Sequence, residues 1–259
     1  MGSLDESGRL VCAPSPRWVE SAKWVRAFLA GKAVVDSKRA CLLREGGPPK
    51  YYFPREDVRT SLLWHSERKT SFPDKGEATW WTIRVNGKTA ENAAWSFPAP
   101  APEASFLKGY ISFEWDAMDA WFEEKEEVFV HPRDPFKRID VLQSSRAVRV
   151  VAGGETVAET NEPSLLFEPG HPIRYYLPKA DVRLDLLVPS DTRTSCPYKG
   201  DARYYSVVGP RPVKDVAWSY SYPTRECAPI AGRVCFFNER VDALYIDGAP
   251  VPRPKTKWA

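Results

Sequence analysis

The sequence predicts a mainly β protein built from two tandem domains of antiparallel sheet, related by internal duplication. Three observations predict it. The run Tyr51-Tyr52-Phe53-Pro54-Arg55-Glu56-Asp57-Val58 returns as Tyr175-Tyr176-Leu177-Pro178-Lys179-Ala180-Asp181-Val182. The run from Lys69 to Ala78 returns from Arg193 to Ala202, at the same offset of 124 residues that separates Tyr51 from Tyr175. Finally, short β-branched and aromatic stretches alternate with turn residues, and no segment carries a long 3.6-residue period. A repeat of this quality means two copies of one structural unit.

The bulk numbers agree with that reading. A chain of 259 residues suits two domains of ordinary size. Each is large enough to bury a core. The 24 Pro favour turns and sheet edges over long helices, and the 10 Trp favour large amphipathic surfaces as well as core packing. A net charge of +3, spread along the chain, gives no footprint for nucleic acid or a membrane surface. No apolar run approaches the roughly 20 residues of a membrane helix. Met1–Glu6 has acidic residues and no apolar stretch, so it does not read as a signal peptide. Five Cys without a CxxC pair read as reduced thiols, which places the protein in the cytoplasm.

The elements follow in order. Residues 1–18 are polar and read as an N-terminal arm. The first repeat domain spans 19–125. It opens on a hairpin, Val25–Phe28 against Ala33–Asp36, turning at Gly31. Thr79–Val85 is a strand, Asn86-Gly87 is a strong hairpin turn, and Ala93–Phe97 returns. Residues 126–140 read as a linker, because two X-Pro steps extend the backbone there. The second repeat domain spans 141–250. Val148–Val151 turns at Gly153-Gly154 into Thr156–Glu159, and Gly232–Phe237 is followed by Val241–Gly248. Residues 251–259 form a Pro-containing tail.

The repeated segments carry a resemblance. Tyr175-Tyr176-Leu177-Pro178, Asp181-Val182-Arg183, Thr194-Ser195-Cys196-Pro197-Tyr198-Lys199-Gly200 and Ala217-Trp218-Ser219-Tyr220, with their counterparts in the first copy, resemble the family called domain of unknown function 427. It is also catalogued as nucleotidyltransferase-like. The resemblance implies a β-tent-like fold, in which two antiparallel sheets lean together over a cleft. The nucleotidyltransferase name implies clustered carboxylates for Mg²⁺ and a Gly-rich phosphate nest, and the residues supply neither.

Candidate chemistry concentrates where the copies differ. The family pattern has Cys at position 196, and the first copy has Phe72 there. Arg193 and Lys199 flank Cys196 in sequence, and a cationic neighbourhood favours a thiolate nucleophile. Tyr198 replaces Asp74, adding a phenol for acid–base work. Cys196, Tyr198 and Lys199 are therefore the candidate catalytic residues. Packing beside a turn is the competing role for Cys196.

Tyr176, Arg183 and Trp218, with Tyr52, Arg59, Lys75 and Trp95 in the first copy, are the candidate binding residues. One Tyr of each Tyr-Tyr pair points to the core and the other to the cleft, where the Trp residues form an aromatic wall. Lys75 and Lys199, each before a Gly turn, can meet an anionic group or an oxyanion, or pair with a repeated carboxylate such as Asp57 or Asp181. The Asp-Val-Arg motif puts Asp57 with Arg59, and Asp181 with Arg183, on one face of a strand. Glu45 and Glu168 read as solvated or hydrogen-bonded turn residues. His65, His131 and His171 do not recur between copies, and paired Cys or His spacing is missing, so no metal site is expected.

Two functional classes fit. One is a metal-independent enzyme of lyase, isomerase, cyclase or hydrolase type, acting on a small organic molecule with no cofactor. No dinucleotide fingerprint supports hydride transfer. The other is a small-ligand or peptide binding module without turnover. The expected partner is a small molecule, with no nucleic acid and no membrane.

Overall fold

A computed structural model describes Gly8 and residues 17–259. The remaining residues, with most of the N-terminal arm and Cys12, lie outside the described part. The chain divides into two compact units, one spanning Ser15–Asp134 and the other built on Pro135–Ala259. Each unit holds a seven-stranded and a four-stranded antiparallel sheet. The helical turns among the described residues are short 3₁₀ segments.

In the first unit the large sheet runs Trp18–Glu20, Cys41–Leu43, Lys50–Pro54, Tyr110–Phe113, Lys88–Ser96, Gly76–Val85, Leu63–Phe72. In the second it runs Asp140–Gln143, Ser164–Phe167, Arg174–Leu177, Val234–Phe236, Val213–Tyr220, Gly200–Val207, Leu187–Cys196. The two orders are the same. The small sheets match as well, with Val25–Leu29 against Lys32–Ser37 and Val148–Ala152 against Glu155–Thr160. Even the irregularities recur. Register shifts fall between His65 and Lys69 and between Pro189 and Arg193. Others fall between Trp81 and Ile83 and between Tyr205 and Val207. Matching bulges show that the duplication extends to backbone detail.

The linker is shorter than the X-Pro steps suggest. Glu126–Val128 pairs with Ala120–Glu123 and completes the first unit's small sheet. Asp140–Gln143 pairs with Ser164–Phe167 at the edge of the second unit's large sheet. Nor is the tail free of the second unit. Val251 donates its N–H to the Leu244 carbonyl at 2.8 Å. Trp258 packs against the outer aromatic cluster of that unit.

The large sheet is apolar on both faces. Strand alternation sends Tyr51 and Phe53 into a core shared with Val25, Ala27 and Leu29 of the small sheet. It sends Tyr52 to the outer face, among Trp80, Trp95, Phe97 and Leu107. Tyr175 and Leu177 face the inner core of the second unit, and Tyr176 joins Trp218, Tyr220 and Ile230 outside. The outer face is covered by the 3₁₀ segments Pro102–Leu107 and Arg225–Ile230, which bury Ala104 and Leu107, and Cys227 and Ile230. Each fully buried large apolar side chain contributes about 1.5–3 kcal/mol, so both layers matter to stability.

The repeated Gly after each Lys has a backbone reason. Gly76 and Gly200 adopt φ of +95° and +97°, and a Cβ on either would meet a carbonyl oxygen at 3.0 Å, that of Ala99 or Tyr222. Gly200→Ala is therefore expected to lose about 1–3 kcal/mol in a chemical denaturation curve.

Candidate functional site

The outer face of the large sheet carries the repeated polar groups. In both units a Trp donates its indole N–H to a Tyr hydroxyl at 3.2 Å, Trp95 to Tyr52 and Trp218 to Tyr176. Both pairs are edge-to-face with ring centroids 6.2 Å apart. These four rings are at most 6% exposed. They pack against protein side chains and form no open wall. Burial raises the Tyr52 and Tyr176 hydroxyls far above the ordinary phenol range, so they stay protonated.

The lysines pair with a repeated carboxylate, Glu45 and Glu168, and not with Asp57 and Asp181. Lys75 pairs with Glu45 at 2.8 Å, and Lys199 pairs with Glu168. Asp57 and Asp181 instead accept from the Ser37 and Thr160 hydroxyls at 2.6 and 2.5 Å. They sit in the 3₁₀ turns Arg55–Asp57 and Lys179–Asp181, as a Pro precedes each turn and ends the strand. Asp-Val-Arg is thus not a strand motif. Arg59 and Arg183 follow those turns and are exposed. Arg183 pairs locally with Asp185 at 2.6 Å. Neither arginine joins the Trp–Tyr face.

The two Glu–Lys pairs differ in the burial of the carboxylate, since the Lys75 side chain is 11% exposed and as buried as Lys199. In the first unit the Glu45 side chain keeps 32% exposure, and Arg17 and Asp74 close a surface network around it. In the second, the Glu168 side chain is 4% exposed and Lys199 13%. Lys137 reaches the other Glu168 oxygen at 2.6 Å, and His171 Nδ1 lies 3.7 Å from it. Burial alone would push the Glu168 carboxyl up, but Lys199, His171 and Lys137 outweigh it and bring it down to about 2. Burial would lower the Lys199 amine, but Glu168 more than offsets that and holds it above its ordinary value. Burial also keeps His171 below its ordinary value. At neutral pH the cluster is therefore a carboxylate holding two ammonium groups beside a neutral imidazole. Lys199 is a fixed cation here, suited to charge stabilisation and not to nucleophilic or basic work.

Cys196, Cys227 and Tyr198 lie beside this cluster. Cys196 is half-buried and ends the edge strand, paired with Gly200. The Tyr198 carbonyl accepts from the Thr224 hydroxyl at 2.6 Å and from the Cys227 thiol at 3.4 Å. Lys137 lies 4.9 Å from the centre of the Tyr198 ring. Burial raises the Cys227 thiol, and raises Cys235 to about 12, so both are inert packing thiols.

A second buried ion pair adjoins the aromatic face. Arg174 makes a two-pronged contact with Glu239 at 2.6 and 2.8 Å. The Thr256 hydroxyl donates to the same carboxylate at 2.8 Å, and Trp258 stacks on His171 with centroids 5.1 Å apart. Sequence reasoning missed Lys137, Arg174 and Glu239, gave Glu168 a turn role, and weighed His171 only as a metal ligand. Only Glu168 left a signal, because it recurs as Glu45 just as Lys199 recurs as Lys75. Among the described residues, no three His, Cys, Asp or Glu side chains gather where they could hold a metal ion. No helix there is long and apolar enough to cross a membrane.

The comparisons with known proteins bear on the family alone. A family model described as a domain of unknown function (DUF427) matches residues 17–124 and again residues 140–247. The comparison with curated proteins gave no match. Two full matches over the duplicated two-sheet units mean that the chain belongs to the DUF427 family, as a tandem member.

Proposed function

We propose that the second unit is the working one, as a metal-independent enzyme of lyase, isomerase, cyclase or hydrolase type acting on a small organic molecule. The observation that supports this most is the asymmetry between copies. At one fold position the second unit buries the Glu168 carboxylate against Lys199, beside a half-buried thiol, Cys196. In the first unit the matching lysine, Lys75, is as buried, but its partner Glu45 is one-third exposed and shared with Arg17, and Phe72 stands in place of the thiol. Desolvating an ion pair costs free energy that packing alone does not repay. A fixed cation beside a thiol suits addition to an electrophilic carbon, with Lys199 facing the negative charge that develops on oxygen. Glu168 holds Lys199 in place, and Tyr198 supplies a phenol at the same turn.

Each two-sheet unit is a β-tent in this reading. Its cysteines, unpaired among the described residues, suit the reducing cytoplasm. Binding without turnover is the second reading. The first unit favours it, because it keeps the fold and lacks the thiol. The test is depletion of a compound from a small-molecule extract, followed by mass spectrometry. Wild-type protein should consume a compound that Cys196→Ser leaves intact. Equal consumption by both would remove the thiol from the chemistry.

A further inference from the structure

The first unit holds a different feature on the same outer face. Trp80 is 4% exposed, yet its indole N–H has no acceptor among the described residues. Its ring meets Trp95 with centroids 5.3 Å apart and planes at 38°. The exposed Arg68 guanidinium lies 3.9 Å from the centre of the Trp80 ring, and the Lys50 amine 5.1 Å from that of Trp95. Neither cation makes an ion pair among the described residues.

The second unit satisfies every equivalent group from within. Tyr204 stands for Trp80, and its hydroxyl meets Thr194 at 2.9 Å. Thr192 stands for Arg68 and donates to Asp215 at 2.8 Å. Arg174 stands for Lys50 and is held by Glu239. Phe237 covers Trp218 with centroids 4.4 Å apart, whereas the first unit has the exposed Glu114 in its place. A buried donor without an acceptor is costly and rare, and an incoming acceptor relieves it.

We propose that this end of the first unit's large sheet is a binding site for a flat organic monoanion. Its carboxylate accepts from the Trp80 indole and pairs with Arg68, while its ring takes the place over the Trp80 face that the Arg68 guanidinium now holds. Lys50 adds a second cation and Glu114 one anion at the rim, which suits a single negative charge. Arg68 covers the indole until the ligand displaces it. This site is independent of the Cys196 reading and involves no turnover.

Titration calorimetry of the full chain with indole-3-carboxylate tests it, beside the neutral amide and the aminomethyl analogue. The carboxylate should bind saturably. The amide, Trp80→Phe and Arg68→Gln should each weaken binding at least about tenfold. Tyr204→Phe should leave it unchanged. Arg68 is a surface residue, so Arg68→Gln retains the fold whatever Trp80→Phe does to stability. The proposal is overturned by an absence of saturable carboxylate binding, by tighter binding of the aminomethyl cation, or by full affinity in Arg68→Gln. Equal losses in Tyr204→Phe and Trp80→Phe would overturn it too.

Discussion

Glu168→Leu is expected to destabilise the second unit by about 3–5 kcal/mol, because it leaves Lys199 and Lys137 without their shared carboxylate. Glu45→Leu, at the matching position in the first unit, should cost about 0–1 kcal/mol, since Glu45 is one-third exposed and Lys75 keeps Asp74 at 3.2 Å. The same carboxylate predicts an acid response. Its folded value of about 2 lies below the ordinary 4.5. A lowered carboxyl value gives stability that is fully present above pH 4.5 and lost as pH falls toward about 2. The loss is about 3 kcal/mol for a shift of this size. The raised value at Lys199 is the same attraction seen from the other partner and adds nothing further. His171, held below its ordinary 6.5, lowers stability in the same direction but starts nearer that pH. Urea curves at neutral and acid pH should show a steep loss between about pH 4.5 and 2 in wild-type protein. Glu168→Gln should flatten that window alone. An unchanged acid limb in Glu168→Gln would mean that the carboxylate is not held as described.

Cys196→Ser is expected to lower turnover by at least about a thousandfold, as loss of a covalent nucleophile does. Stability should change by less than about 1 kcal/mol, because the residue ends an edge strand and is only half-buried. That combination separates chemistry from packing. A packing thiol would show the reverse, with activity kept and stability reduced. Cys227 and Cys235 supply the contrast. Both are fully buried, so Cys227→Ser should cost stability whatever the reaction is.

Much of the fold was legible because local signals agree with it. Asn86-Gly87 turns with both residues at positive φ, and so does Gly153-Gly154. The Tyr-Tyr alternation places Tyr51 and Tyr175 inside, and Tyr52 and Tyr176 outside. The repeat carries the topology, since the strand orders of the two units coincide. The polar cluster was less legible. Glu168 follows a strand as any turn carboxylate does, and nothing nearby in sequence marks its burial. Its partners Lys137, His171 and Lys199 come from three segments that only the tertiary fold brings together. Arg174 and Glu239 lie 65 residues apart and are not repeated, so neither spacing nor duplication points to them. That the rings of the expected aromatic wall are covered was not legible, for a related reason. Sequence shows which face a ring takes, but not whether a 3₁₀ segment or a tail covers that face.

The central claim is that one copy works and the other does not. A single paired comparison tests it most directly, with Lys199→Met and Lys75→Met assayed side by side for depletion of the compound that wild-type protein consumes. The account predicts a loss of at least about a hundredfold in Lys199→Met, from the missing charge at the developing oxyanion, and near-normal rates in Lys75→Met. Full activity in Lys199→Met, or an equal loss in Lys75→Met, would contradict it.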